Sequence, residues 1–378
     1  MAKKNENVLP EGWEWKKLET VTKIVGGGTP SRKNESYYTN GNIAWVTVKD
    51  MKKDLVYKSQ LYITKKAVKE SSSNIIPKGN IVIATRVGLG KVCKLMIDAA
   101  INQDLKGLIP LDKSKTEIDY LFYWFKSIST YIQSHGTGAT VKGVKLNFIK
   151  TLTIPLPPLA EQQRLVKKLD AAFERIDKAI ALVKTNLEEI PQLRESAYKE
   201  KFKKAPLSIL LGDFLQLKRG YDLPKRLREK GKYPLFGANG VIDYHKDYKV
   251  KGNGVITGRS GSIGHIHYVE ENFWPLNTSL YVKDFKDNHP LYSYYVLKSK
   301  SNQIKKMSSF AAVPTLDRKQ AHKIPIKIHD RKNQEVIGKH LLQLDKNIEQ
   351  LAAENQAKLE HLEQLKKSLL DQAFKGKL

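Results

Sequence analysis

The stretch TIPLPPLAEQQRLV, residues 153–166, joins two different kinds of sequence. Pro155, Pro157 and Pro158 fall within four residues and favour an extended backbone that cannot enter a helix interior. The residues after them are charged and periodic, and Glu161 places a carboxylate in the first turn, where the helix dipole stabilises it. The stretch therefore predicts a proline-rich strap that ends a globular domain and begins a long helix.

A weaker copy of this strap, KIPIKIHDRKNQEVI, begins at Lys323 and belongs to a longer internal repeat. Matching segments occur in the same order in the two halves of the chain, and two unrelated domains of similar composition are the alternative. The repeat pairs Leu18-Glu19 with Leu211-Gly212, Arg86 with Arg259, Gly88 with Gly261, Asn102 with Asn277, Leu146 with Leu316, Pro155 with Pro325, and Phe202 with Phe374. We infer that the chain is duplicated.

Each half contains patterns typical of a mixed α/β domain. Strands are predicted for NIAWVTV (42–48), NIVIA (80–84) and LYVKDF (280–285), which are short, rich in β-branched or aromatic residues, and bounded by Gly, Asn and Pro. Helices are predicted at matching places, for residues 117–135 and 291–307.

Apolar residues then follow each strap at alternating steps of four and three, which predicts a coiled coil. Pro191 is expected to kink or end the first helix. Asn355 falls in the apolar seam, where it either fixes the helix register or is a local polar defect. The seam residues are Leu165, Leu169, Ala172, Ile176, Ala179, Val183, Leu187 and Ile190 in the first helix, and Ile337, Leu341, Leu344, Ile348, Leu351, Leu362, Leu365 and Leu369 in the second.

The predicted fold class is α+β, with two similar mixed α/β domains separated by two long helices that form an antiparallel coiled coil with pseudo-two-fold symmetry. The predicted boundaries are 1–157 for the first domain, 158–204 for the central helix, 205–328 for the second domain and 329–378 for the final helix. A helix of about 40 residues is about 60 Å long. Two domains held apart in this way suit a protein that reads two DNA half-sites.

The charge is strongly basic and unevenly distributed. The 378 residues include 66 Lys plus Arg against 39 Asp plus Glu, a formal net charge of +27. The two helical segments, 159–204 and 330–378, are nearly balanced, so most of the excess lies in the domains. Such a surface attracts polyanions, of which nucleic acid is the first to consider and an anionic membrane the second.

The sequence offers little for catalysis or for a metal. Cys93 is the only cysteine, and His265 and His267 alternate along a predicted strand without an obvious third ligand. No Walker loop, dinucleotide fingerprint or amino-methyltransferase motif is found. An apolar run of about 18 residues is also missing, and the N-terminus is unlike a signal peptide. We therefore expect a non-catalytic, cytoplasmic binding protein without a metal.

Candidate DNA contacts lie on Gly-rich and cationic loops. GGGTPSRKN (26–34) can present backbone N–H groups and arginine to phosphate or to a guanine edge, or it is a solvated turn. GTGATVKGVK (136–145) is a cationic loop, and FAAVPTLDRKQ (310–320) takes its place in the second half. Trp45 is either core or contact. The candidates are Gly27, Thr29, Arg32, Lys33, Lys49, Arg86, Asn102, Lys142, Lys145, Lys218, Arg219, Arg226, Asn239, Arg259 and Asn277.

The chain resembles the specificity subunit of type I restriction–modification enzymes over its whole length. The segments that carry the resemblance are LPEGWEWKKLETV (9–21), GGGTPSR (26–32), IAWVTVKDM (43–51), INQDL (101–105), IPLPPLAEQQRLV (154–166) and LLDQAFKGKL (369–378). The second half is more divergent, since its strap is reduced to Ile324-Pro325-Ile326.

This resemblance implies two target recognition domains, each reading one half of a split double-stranded DNA sequence. It also implies helices that set the unread gap and dock two modification subunits, which hold S-adenosylmethionine and methylate adenine. Restriction subunits that use ATP and Mg²⁺ join through those partners, and this chain has no cofactor and no membrane partner. The expected partner-binding residues are Leu165, Leu169, Phe173, Ile176, Phe202, Ile337, Leu341, Leu344, Leu369 and Phe374.

Two other functions remain open from the sequence. A basic structural protein would bind DNA with strong salt dependence and without sequence preference. A fused enzyme would transfer methyl groups without partners, which the missing motifs disfavour.

Overall fold

The computed structural model describes residues 9–307 and 315–378, which form two compact units. Unit 1 takes the chain up to Leu182 together with Leu359–Leu378, and unit 2 takes Val183–Lys358. Each unit thus joins one globular domain to sections of both long helices. The sequence-based boundaries instead separate the helices from the domains. Residues 1–8 of the first predicted domain and 310–314 of the predicted loop lie outside the described residues.

Unit 1 is built on three small sheets. Its elements are β1 (Glu14–Lys17), α1 (Leu18–Val21), β2 (Thr22–Gly26), β3 (Ile43–Val46), β4 (Leu55–Val56), β5 (Tyr62–Ile63), α2 (Lys65–Glu70), β6 (Ile75–Ile76), β7 (Ile81–Ala84), β8 (Val92–Leu95), β9 (Ala99–Ile101), β10 (Leu105–Pro110), α3 (Ile118–Ser127), α4 (Ser129–Ser134), α5 (Leu146–Thr151), β11 (Thr153–Leu156) and the start of α6 (Leu159–Lys203). The strand orders of the sheets are β2-β10-β7-β8-β4, β5-β3-β9-β6 and β1-β11. All four residues of β7 are buried, so this strand is central to the core.

Unit 2 also has three sheets. Its elements are β12 (Leu207–Leu210), α7 (Leu211–Phe214), β13 (Gln216–Arg219), β14 (Tyr233–Gly237), β15 (Gly240–His245), β16 (Gly254–Gly258), β17 (Ile266–Val269), β18 (Trp274–Pro275), β19 (Ser279–Asp284), α8 (Pro290–Ser299), α9 (Ser301–Lys306), α10 (Arg318–His322), β20 (Pro325–Ile328) and the start of α11 (Arg331–Phe374). The strand orders of the sheets are β13-β19-β16-β17, β15-β14-β18 and β12-β20. The quoted strand runs and both long helices of the prediction are therefore confirmed.

The two helices predicted within the domains are each divided into two segments. The first breaks at Ile128 and the second at Lys300, where the backbone leaves helical dihedral angles. The serine after each break donates a hydrogen bond to a glycine carbonyl of a nearby turn, Ser129 to Gly90 at 2.9 Å and Ser301 to Gly264 at 2.5 Å. The same tertiary contact therefore accompanies the change of direction in both helices.

In unit 1 the start of α6 and the end of α11 run antiparallel. Arg164 Nη2 donates to the Leu378 carbonyl at 2.8 Å, and Lys366 Nζ lies 2.7 Å from Asp177 Oδ1. Phe374 packs against Tyr120 of α3, with ring centroids 5.1 Å apart. This helix pair is part of the same apolar core as α3, so the helices and the domain stabilise one another.

In unit 2 the end of α6 runs antiparallel to the start of α11. Arg194 lies 3.8 Å from Glu349, and the Tyr198 hydroxyl donates to Asp345. Asp345 is buried, and it also accepts hydrogen bonds from Tyr295 and Lys298, both at 3.0 Å. A buried carboxylate satisfied by this many donors favours one helix register, because any slip would leave it unpaired.

Two expectations about the long helices need correction or refinement. Pro191 was expected to kink or end α6; the helix continues through it to Lys203, so the second alternative is wrong and the kink stays a prediction. Proline removes only one backbone hydrogen bond, and packing on both sides of it holds the helix together. Asn355 donates to the Leu351 carbonyl of its own helix at 2.8 Å, which favours a local polar position over a register-setting contact.

The strand register corrects the pairing of the two straps. Strand β1 pairs with β11 and β12 with β20, and in both pairs the last residue of the first strand lies opposite the first residue of the second. Thr153 therefore corresponds to Pro325, and Pro155 to Lys327. The predicted equivalences of Pro155 with Pro325 and of Leu146 with Leu316 are therefore wrong by two residues, because they matched like residues rather than hydrogen-bonded neighbours. The equivalence of Asn102 with Asn277 is wrong by one residue for the same reason.

A buried glutamine fixes the start of each long helix, and the sequence analysis missed both of them. In unit 1, Gln162 is fully buried. Its Oε1 accepts from the Glu117 N–H at 2.9 Å, and its Nε2 donates to the carbonyls of Lys115 at 2.9 Å and Pro157 at 2.8 Å. The side chain thus joins the strap, the first turn of α6 and the start of α3.

Gln334 has the same role in unit 2. Its Oε1 accepts from the His289 N–H at 2.9 Å, and its Nε2 donates to the His329 carbonyl at 3.2 Å and to Asn288 Oδ1 at 2.8 Å. We call these two arrangements the glutamine joints. They show that the duplication extends to the place where each domain meets a helix.

Candidate nucleic-acid interface

The Gly-rich loop after β2 is tied firmly to the core of unit 1. The Gly28 N–H donates to the Ile101 carbonyl at 3.0 Å, and the Gly28 carbonyl accepts from Trp45 Nε1 at 3.1 Å and Ser73 Oγ at 2.8 Å. Trp45 is only 3% exposed, so it belongs to the core and supports the loop from beneath. The loop is therefore held in one conformation.

Gly27 is required by close packing. A Cβ on it would lie 2.0 Å from the Asn102 carbonyl oxygen, well inside van der Waals contact. Thr29 is exposed and donates to Gln103, and the exposed Arg32 and Lys33 lie three and four residues further along the chain. The loop thus presents one hydroxyl and two cations on a rigid support.

Arg86 and Asn102 both contact Asp104, on the loop between β9 and β10. Arg86 Nη1 lies 3.7 Å from Asp104, and Asn102 Nδ2 donates to Asp104 at 3.1 Å. Asn102 is 8% exposed, so its contact is with this carboxylate rather than with solvent. The Arg86 side chain is about half exposed, so its guanidinium is accessible to a polyanion.

The cationic loop 136–145 packs beside Arg86. The Val144 N–H donates to the Thr85 carbonyl at 2.9 Å, and Gly143 lies so near that a Cβ would come within 3.0 Å of Arg86 Cγ. Lys142 and Lys145 of this loop are exposed. Lys49 is also exposed, next to Val48, whose side chain contacts the turn at Gly88. The predicted cations of unit 1 therefore lie on neighbouring loops.

In unit 2 several predicted residues come together around Asp222. Asn277 Nδ2 donates to Asp222 Oδ1, and Arg219 Nη2 lies 3.3 Å from the same oxygen. Arg259 Nη1 donates to the Asn277 carbonyl at 3.4 Å. Asn239 is exposed beside Ala238, whose carbonyl lies close to Gly258.

The other two predicted residues of unit 2 are Lys218 and Arg226. Lys218 is half-buried, with Nζ 5.9 Å from the centroid of the Tyr221 ring. Arg226 is exposed on the 3₁₀ turn Lys225–Leu227. Whether any of the fifteen residues contacts bases or phosphates stays a prediction.

The predicted partner-binding residues lie mostly in the core. Eight of them are at most 9% exposed and the other two are partly buried: Leu165, Leu169, Phe173, Ile176, Phe202, Ile337, Leu341 and Phe374, then Leu344 and Leu369. Packing within the chain explains their apolar character, so their role toward a partner stays a prediction. Exposed apolar side chains on the long helices are Leu182, Leu193, Val336, Leu351 and Leu365.

Each unit also has a groove at the place where a long helix ends beside the strap. In unit 1 it has a volume of about 790 Å³ and an aromatic lining that includes Trp15, Trp124 and Phe374. Strap register and helix order place the unit 2 groove at the equivalent position, with Phe202 in place of Phe374. That groove measures about 440 Å³ and is lined by four lysines, Lys199, Lys203, Lys300 and Lys327. The groove is therefore present in both units, with an aromatic lining in unit 1 and a cationic lining in unit 2.

Two observations concern classes of site other than nucleic acid. Among residues 9–307 and 315–378, no three His, Cys, Asp or Glu side chains are grouped so that they could hold a metal ion. Within the same ranges no helix has the length and apolar character needed to cross a membrane.

Comparison with known proteins gives a family. The family model described as "Type I restriction modification DNA specificity domain" matches residues 10–192 and 208–361. The MjaIX specificity subunit of Methanocaldococcus jannaschii is 35% identical over 166 residues, which are 43% of this chain and 38% of that protein. The EcoprrI specificity subunit of Escherichia coli is 24% identical over 285 residues, 69% of this chain and 70% of that one.

The matches span less than half of the first two curated relatives, 38% of the MjaIX subunit and 40% of the EcoR124I/EcoR124II specificity subunit of Escherichia coli.

Solved structures share the fold at low sequence identity. A chain from a structure on complex assembly and conformational transition of the type I R-M system aligns with a TM-score of 0.80 at 19% identity, covering 98% of this chain and 99% of that one. The HsdS subunit of Thermoanaerobacter tengcongensis aligns with a TM-score of 0.68, also at 19% identity, covering 98% of each chain. With two matching segments that span most of its length, the chain belongs to the type I restriction modification DNA specificity domain family.

Proposed function

We propose that this chain is the DNA-specificity subunit of a type I restriction–modification complex and that each globular domain reads one half of a bipartite target. The observation that carries the proposal is the duplication, which gives each unit exposed cations on loops braced by its core. Phosphate contacts from such cations would set the register, and side chains on the same loops would read base edges.

The long helices would set the gap between the half-sites. A glutamine joint fixes the start of each helix to its domain, so the direction of the helix is tied to the reading surface. The buried Asp345 contacts fix the helix register within unit 2. A spacer held in this way favours one gap length over others, because changing the gap would require breaking buried hydrogen bonds.

The chain itself would be non-catalytic and would act through two modification subunits. The equivalent grooves and the exposed apolar side chains of the helices offer a place for one partner copy on each unit. These partners would hold S-adenosylmethionine and methylate adenine after flipping the base out of the duplex. Restriction subunits that use ATP and Mg²⁺ would join through them, in the cytoplasm where the DNA is.

The proposal is tested by the methylation pattern of the host genome. Deleting this gene in a strain with an active system is expected to erase adenine methylation at one bipartite motif, as measured by single-molecule sequencing. Returning the full-length gene should restore the same motif. An unchanged pattern after deletion would rule out this function.

A basic structural protein remains the second candidate, favoured by the excess positive charge of the domains. It predicts equal affinity for random duplexes and for the methylated motif, with a steep dependence on salt. Competition between the two duplexes separates the candidates, since a specificity subunit should prefer the motif by about a thousandfold or more.

A further inference from the structure

Three arginines surround one cleft in unit 2. The cleft has a volume of about 390 Å³, and Arg219, Arg259 and Arg318 lie in its lining. Two of them were candidates from the sequence. Arg318 was not named individually, although it lies in the predicted loop 310–320.

Backbone contacts bring these arginines together. The Arg259 N–H donates to the Thr278 carbonyl at 2.9 Å, and the Arg259 carbonyl accepts from the Leu316 N–H at 2.8 Å. The second bond holds the segment before α10 against the Arg259 turn. Arg318, the first residue of α10, is thereby placed at the cleft with its side chain exposed.

Two carboxylates lie in or near the cleft, and one of them pairs with a cleft arginine. Asp317 accepts from the Lys319 N–H at 2.8 Å as the N-cap of α10. Asp222 accepts from Asn277 and pairs with Arg219 at 3.3 Å. Three guanidinium groups against these two carboxylates leave the cleft positive.

The first half of the chain supplies an internal comparison. Arg219 ends β13 and Arg318 begins α10, and the equivalent positions in β2 and α5 are Gly26 and Leu146. Arg259 corresponds to Thr85, so the predicted equivalence of Arg86 and Arg259 is wrong by one residue. The N–H groups of Thr85 and Arg259 donate to the equivalent carbonyls of Asp104 and Thr278. The cluster of three arginines is therefore a property of the second half and not of the shared fold.

We propose that this cleft binds one phosphodiester group of the bound DNA and positions unit 2 without reading a base. Guanidinium groups form bidentate, charge-assisted hydrogen bonds with phosphate oxygens, and converging arginines suit a tetrahedral anion better than the flat edge of one base. The proposal rests on the proposed function and adds Arg318 as a positioning residue.

The test is the salt dependence of DNA binding by the full-length chain carrying Arg318→Ala. Loss of one phosphate contact should flatten the plot of log affinity against log salt by about one unit. Affinity should fall about tenfold for every duplex at low salt, with unchanged preference at both half-sites. Arg318→Lys keeps the charge and should recover the slope but only part of the affinity.

The matched control is Arg175→Ala, which removes another exposed arginine, from α6, and should leave the slope unchanged. Because Arg318 is exposed, thermal unfolding should not change in either variant. An unaltered slope, or a changed base preference, in Arg318→Ala would overturn the proposal. So would Arg318-dependent binding of inorganic phosphate alone at matched ionic strength, which would indicate a site for free anions.

This inference and the proposed function can fail separately. If the wild-type chain shows no preference for a bipartite duplex, the proposed function fails, whatever the salt slope. If the preference is present and Arg318→Ala behaves as wild type, only the phosphate cleft fails.

Discussion

Replacing Gly27 by alanine is expected to abolish recognition of one half-site. The new Cβ would lie 2.0 Å from the Asn102 carbonyl oxygen and 2.4 Å from that of Ile101. Both obstacles are backbone atoms, so the Gly-rich loop must move away, together with the exposed Thr29, Arg32 and Lys33. Losing several contacts of one half-site at once should weaken binding to the target duplex by about a hundredfold or more.

Gly26→Ala is the matched control for this change, because a Cβ on Gly26 meets no atom within 4 Å. It should bind DNA like the wild type. Gly220→Ala places a Cβ 2.2 Å from the Leu276 carbonyl oxygen and should damage the other half-site instead. Wild-type affinity in Gly27→Ala, measured by titration of the target duplex, would show that the loop does not take part in recognition.

Gln162→Leu is expected to weaken the connection between the first domain and α6. The change removes three hydrogen bonds and leaves the Glu117 N–H and the carbonyls of Lys115 and Pro157 without this partner in a buried site. We expect a loss of about 2–4 kcal/mol in the free energy of unfolding of unit 1. Faster hydrogen exchange around the start of α3 would report it.

The neighbouring Gln163 is exposed and provides the control, since Gln163→Leu should leave stability nearly unchanged. The functional readout is tolerance of the gap. Gln162→Leu should bind duplexes with a gap one base pair longer or shorter better, relative to the correct gap, than the wild type does. Unchanged gap discrimination with confirmed loss of stability would show that the joint does not set the spacing.

Much of the architecture could be predicted because its signals are local in sequence. Proline and the apolar seven-residue pattern place the long helices at 158–204 and 329–378, and the structure has Leu159–Lys203 and Arg331–Phe374. The duplication was also visible, since equivalent cores need similar residues in similar order.

The remaining features depend on contacts that a single sequence does not show. The strap register follows strand pairing, whereas the sequence analysis matched Pro155 with Pro325. Gln162 and Gln334 looked like ordinary polar helix residues, because only the tertiary structure reveals their buried partners. Arg318 lies at the arginine cleft because the Leu316 N–H donates a hydrogen bond to the Arg259 carbonyl, a contact that no residue pattern encodes.

The central claim is that each globular domain reads its own half of the target. Its most direct test is an exchange of residues 1–157 for the corresponding domain of a family member with a different target. The measurement is the genome-wide methylation motif of cells that express the exchanged chain with its modification subunits. The account predicts a motif in which one half changes while the other half and the gap length stay the same. A motif in which both halves change, or neither does, would contradict it.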